Sequence, residues 1–176
     1  PGTEHAAKQT EDRAQNRAGQ ARGEDRPGGR GAFGGNTGDG CTGGLLAKQL
    51  TDVPGSSGFF HFSGVTYANE AKVDVLGVPQ TMLEAHGAVH EETAKAMAAG
   101  ARRVAGATYG LATSGIAGPD GGTEEKPVGT VCVGLATPTE TIGRRLYFPF
   151  GKRLMNKTIF AEAALDMLRK KLIGNQ

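Results

Sequence analysis

Hydrophobic positions divide the chain into two unequal parts. Residues 1–40 contain no Val, Leu, Ile or Met, and Phe33 is their one large apolar residue. Such a stretch cannot bury enough apolar surface to offset its backbone entropy, so it reads as a disordered leader. Residues 4–22 hold helix formers, but no apolar stripe gives a helix anything to dock on. From Leu45 onward apolar residues recur with helical and strand periods, and residues 41–176 read as one folded domain.

The elements follow from that pattern. Leu45, Leu46, Ala47 and Leu50 form one helical face, with Thr42 as N-cap and a stop at Pro54-Gly55. Residues 59–67, aromatic and β-branched, predict a strand. Asn69 caps a short helix to residue 76 before Gly77, and a second runs over 79–85 before Gly87. Residues 91–105 predict a longer helix, with Glu91 and Glu92 in its first turn and Arg102 and Arg103 in its last. Residues 108–113 predict a strand that opens into a glycine-rich loop over 114–122. Residues 128–136 and 141–150 predict two strands joined by a hairpin. A final helix over 154–173 places Phe160, Ala164, Leu168 and Leu172 on one face.

Helices between strands, followed by a hairpin, imply a single-domain α/β fold: a three-layer α/β/α sandwich with a mixed sheet. Ligands in such folds bind at the carboxyl ends of strands. That singles out the loops at 38–44, 64–72 and 114–122.

Composition narrows the function. The chain has 20 Lys/Arg against 18 Asp/Glu, a net charge of +2, with no basic run interleaved with aromatics. That excludes a dedicated nucleic-acid binder. No apolar run reaches the roughly 18–20 residues of a membrane span, and no secretory leader is read. Cys41 and Cys132 lack CxxC or His spacing, so neither a disulfide framework nor a zinc site is expected. The expected setting is cytoplasmic.

The stretches CTGGLLAKQLTDVPGSSGFF, GVTYANEAKVDVLGV, LEAHGAV, SGIAGPDGGTEEKPVGTV and the closing GKR before the last helix resemble the C-terminal domain of CinA, in order and with family spacing. The resemblance covers roughly residues 41–173. It implies the fold and activity of the nicotinamide-nucleotide amidase, which hydrolyses the carboxamide of nicotinamide mononucleotide to nicotinate mononucleotide and ammonia. That is a step in pyridine nucleotide recycling. It further implies a serine–lysine arrangement without metal or cofactor, a small-molecule nucleotide as partner and a tendency to homodimerise.

Amide hydrolysis needs a nucleophile, a base and donors for the oxyanion. By resemblance Lys72 is the base, Tyr67 hydrogen-bonds across the site, and Ser114 keeps a hydroxyl where the family has threonine. Arg153 is the family arginine before the last helix, a phosphate or oxyanion partner. Thr42, Gly43, Gly44, Gly115 and Gly118 are expected to bind the substrate, and the glycines Gly115, Gly118, Gly121 and Gly122 would let backbone N–H groups approach its phosphate or ribose. His86 and His90 are read as structural, His90 standing where the family has a helix-cap serine.

One departure touches the chemistry itself. Aligned on CTGG, Gly38-Asp39-Gly40 stands where the family has Ala-Glu-Ser, so Gly40 replaces the nucleophilic serine. Gly34-Gly35-Asn36-Thr37 also supplies no apolar run for the strand before it, so that strand is expected to be missing or disordered. Three readings follow: an impaired relative that still binds nucleotides, a substitute nucleophile at Cys41 or Thr42 with the thiol activated at a helix N-terminus, or an out-of-frame origin for residues 1–40. A non-catalytic nucleotide-binding or competence/damage-associated protein is the alternative to an amidase.

Overall fold

The computed structural model describes residues 35–174, and the expectations for residues 1–34 lie outside them. Five strands, β1 (Gly35–Asp39), β2 (Phe60–Gly64), β3 (Tyr109–Gly115), β4 (Thr130–Ala136) and β5 (Thr141–Tyr147), form one sheet. Their order is β2-β1-β3-β4-β5. β1 is parallel to both β2 and β3, whereas β3–β4 and β4–β5 are antiparallel, so the sheet is mixed. The helices are α1 (Leu45–Thr51), α2 (Asn69–Leu76), α3 (Gln80–His86), α4 (Glu91–Val104) and α5 (Arg153–Leu172).

Two cores lie on the two faces of the sheet, which makes the α/β/α sandwich. Leu111, Val131, Val133 and Leu135 pack with Leu46 of α1 and Phe160, Ala161 and Ala164 of α5. Ala112, the next residue along β3, turns to the opposite face, against Met97, Ala98 and Ala101 of α4 and Leu76 of α2. Each fully buried large side chain, such as Phe160 or Met97, contributes roughly 1.5–3 kcal/mol. On the second face α4 approaches the sheet backbone to backbone. A Cβ on Gly134 would lie 2.0 Å from the Ala94 carbonyl oxygen, and one on Gly110 2.2 Å from that of Ala98.

The expected loss of the first strand is overturned. β1 exists as an interior strand, paired with β3 over its whole length and with β2 from Gly35 to Gly38. Its backbone needs no apolar side chains of its own, because both ladders satisfy it and neighbouring elements cover it. A Cβ on Gly38 would already touch Leu76 Cδ1 at 3.0 Å and the Ala112 Cβ at 3.6 Å.

Smaller differences are local. Thr42 does not cap α1; Gly44 does, with left-handed φ of 90°, and Thr42 turns back to Asp39. Asn69 begins α2 without capping it, since Ala68 holds the N-cap position with no side-chain bond. Ser114 and Gly115 belong to β3 rather than to the loop after it. His90 caps α4 by accepting the Glu92 amide at Nδ1, 3.1 Å away, and its ring stacks on His86 with centroids 4.3 Å apart.

Candidate functional site

β2, β1 and β3 run parallel, so their carboxyl ends lie on one edge of the sheet, where the three expected loops meet. A cleft of about 160 Å³ opens there. Tyr67, Lys72, Ser114, Gly115 and Arg153 all line it, together with Gly40 and Cys41. Asn69, Ala88, Val89 and Ala117 complete its wall; none of the four was named as a site residue from the sequence. Thr42, Gly43, Gly44 and Gly118 do not line the cleft. Among the described residues no cluster of three His, Cys, Asp or Glu side chains is placed to hold a metal ion.

Lys72 is the most distinctive member. It sits one turn into α2, almost fully buried, and its Nζ donates to the carbonyl oxygens of Thr66 and Tyr67, both at 3.0 Å, and of Ala68 at 3.4 Å. Burial holds its pKa below the ordinary lysine value, while the Cys41 and Glu70 side chains push the other way. A buried amine of lowered pKa facing a cleft can accept a proton from a neighbouring hydroxyl or water. The residue positioned to carry such a hydroxyl is number 40. A Cβ built there lies 3.7 Å from Lys72 Cε.

Cys41 is not the activated thiol that a helix N-terminus would give. Burial pushes its pKa up to about 12, with Asp39 adding to the rise and a hydrogen bond from Thr113 opposing it. The side chain packs in the core with Leu46 and Val131. Thr42 is equally committed, because its hydroxyl donates to Asp39 Oδ2.

Asp39, the last residue of β1, is the polar group that sequence reasoning passed over. Its carboxylate accepts the amides of Thr42 at 2.7 Å, Gly43 at 3.1 Å and Gly44 at 2.5 Å. Those three residues were expected to bind the substrate, and here their amides point to Asp39. The available signal was an Asp just upstream of Thr-Gly-Gly and an apolar run, a side chain suited to bonding the amides that follow.

α5 holds the far wall. Arg153 donates from Nη1 to the Gly118 carbonyl at 2.7 Å, and the fully buried Asn156 donates from Nδ2 to that of Ala117 at 3.0 Å. Gly118 therefore lies behind the cleft, as an acceptor that aligns Arg153. The remaining donors of the guanidinium give the cleft a cationic margin.

Residues 36–172 match the family model of the CinA C-terminal domain, a match that takes in β1 and Gly40 as well as the motifs from Cys41 onward. A CinA-like protein of Desulfosudis oleivorans is 65% identical over 133 residues, covering 76% of this chain and 32% of that protein. A CinA-like protein of Desulforapulum autotrophicum is 62% identical over 133 residues, covering 76% and 31%. The chain thus spans about a third of the length of these curated relatives. Among solved structures, the competence/damage inducible protein CihA from Agrobacterium tumefaciens matches with a TM-score of 0.76 and 38% identity, covering 78% of this chain and 84% of that one. The competence damage-inducible protein A of Klebsiella pneumoniae matches with a TM-score of 0.77 and 34% identity, covering 82% and 89%.

Proposed function

Because the chain belongs to the CinA C-terminal domain family, we propose that its cleft is built to hydrolyse the carboxamide of nicotinamide mononucleotide, and that Gly40 withholds the nucleophile. The observation that carries this reading is the buried Lys72 amine lining the same cleft as the backbone of residue 40.

With a serine at position 40 the reaction balances within the cleft. The hydroxyl oxygen attacks the carboxamide carbon while Lys72 takes its proton. The tetrahedral oxyanion collapses, the C–N bond breaks, and the leaving nitrogen takes that proton and departs as ammonia. Water then hydrolyses the acyl ester to nicotinate mononucleotide. Arg153 supplies positive charge for the phosphate or the oxyanion, and Tyr67, exposed where it lines the cleft, is assigned a hydrogen bond to the bound substrate. With glycine the covalent route is closed, and the chain is expected to be inactive or severely impaired. The same reading carries a cytoplasmic setting, no cofactor and self-association as a homodimer.

A second reading is a nucleotide-binding module without turnover. It is favoured by the missing hydroxyl at Gly40 together with the inert state of Cys41. Ammonia release from nicotinamide mononucleotide, compared between this chain and Gly40→Ser, separates the two. Release restored by the serine supports the amidase. Binding by calorimetry without release in either form supports the module.

A further inference from the structure

Asp39 is fully buried, and among the described residues it forms no ion pair. Burying a carboxylate is expensive unless hydrogen bonds replace its water. Here they come from three consecutive amides, the Thr42 hydroxyl and, at 3.4 Å, the Thr113 hydroxyl. All of these groups donate. Capping a two-turn helix such as α1 needs one acceptor, and a serine would suffice. This carboxylate gathers a whole turn and ties it to a second strand.

That second strand gives the arrangement its meaning. Asp39 pairs with Thr113 in the β1–β3 ladder, and the Gly40 amide donates to the Thr113 carbonyl at 2.8 Å. The next residue on each strand, Gly40 and Ser114, enters the cleft. Residue 40 is therefore held on one side by the ladder and on the other by the turn over 42–44.

We propose that Asp39 is the positioning residue of the cleft: with Thr113 it forms a buried polar rung that fixes residue 40 relative to Ser114 and Lys72. It touches no substrate and acts through the backbone. The kinetic consequence rests on the amidase reading; the structural one does not.

Two measurements test it on the whole chain, using Asp39→Ala, Asp39→Asn and the longer carboxylate Asp39→Glu. The first is amide hydrogen exchange on isotope-labelled protein. In Asp39→Ala and Asp39→Asn the Gly40 amide is expected to exchange at least about tenfold faster, while Val131 and Val133 of β4 keep their protection and Asp39→Glu restores Gly40. Faster exchange confined to residues 42–44 overturns the proposal, because Asp39 is then only a local cap. Equal loosening of β4 overturns it too, as a general loss of stability. The second adds Gly40→Ser to each variant and follows ammonia release from nicotinamide mononucleotide. Asp39→Asn should lower kcat by roughly tenfold to a hundredfold with KM moved less than about threefold, as expected for a misplaced nucleophile. A raised KM at unchanged kcat overturns positioning. If Gly40→Ser releases no ammonia at all, the amidase reading fails and the exchange result alone decides Asp39.

Discussion

Gly40 and Lys72 face one another across a gap that one side chain would fill: a Cβ on Gly40 lies 3.7 Å from Lys72 Cε and 2.9 Å from the Thr113 carbonyl oxygen. The first distance places a residue-40 side chain beside the buried amine. The second sets the structural cost of adding one, since the contact with backbone oxygen requires a shift of a few tenths of an ångström. Gly40→Ser and Gly40→Ala should each lose about 1 kcal/mol, or roughly 3–5 °C in Tm. The two share that cost and differ in the hydroxyl, so ammonia release should appear in the serine variant alone. Equal release in both would remove the hydroxyl from the mechanism.

The pH dependence of a serine-bearing form should carry the signature of Lys72. Burial, opposed by Cys41 and Glu70, holds the amine below its ordinary value of 10.5, so it sheds its proton early. Ammonia release by Gly40→Ser should rise with pH and level off below pH 10.5. The stability effect has the same sign. Between the folded pKa and 10.5 the unfolded chain holds the lysine proton more tightly than the folded one, so folded stability gains as pH rises through that interval. Relative to Lys72→Met, the chain should therefore become more stable across the window. A flat difference in Tm would contradict the buried amine.

The two thiols work in the opposite direction. Burial raises Cys41 to about 12 and Cys132 to about 11, both from 9.0. Each contributes stability that is fully present below pH 9.0 and lost as pH climbs through the folded value, because the unfolded chain ionises first. Chemical denaturation should show stability falling above pH 9, with a shallower fall in Cys132→Ala. A thiol reagent at pH 8 should label neither cysteine until the chain unfolds. Fast native labelling of Cys41 would return it to the list of nucleophiles.

How much of this could be read from the chain varies element by element. α2 was legible to the residue, 69–76, because an apolar pair, Leu76 and Val73, precedes a glycine that takes a left-handed φ of 64°. α4 was legible to within one residue from its acidic first turn, its basic last turn and the Gly106 that follows. β1 was not. Strand patterns are patterns of side chains, and the burial of Gly38 is supplied by Leu76, Ala112 and Met97 from elsewhere. Motif resemblance alone gathers Tyr67, Lys72, Ser114, Gly115 and Arg153, and the fold brings them to one cleft. It could not show that the amides of residues 42–44 are already taken. That depends on where one aspartate side chain turns.

Glycine makes up 29 of the 176 residues, and the most demanding glycines lie in the tightest part of the fold. Gly134, in the middle of β4, lies directly beneath α4: a Cβ there would come within 2.0 Å of the Ala94 oxygen and 2.4 Å of its carbonyl carbon. Neither is a flexible side-chain end, so the helix as a whole would have to lift. α4 carries six buried residues, among them Met97, Ala98 and Ala101, and lifting it opens the second core along its length. Gly134→Ala should therefore cost about 2–3 kcal/mol or more, at the upper end of overpacking. Gly55→Ala, where a Cβ meets nothing within 4 Å, should cost less and only through its left-handed φ of 84°. Thermal unfolding of the two variants side by side tests this, and a Gly134→Ala protein as stable as Gly55→Ala would mean that α4 does not rest on the sheet backbone as described.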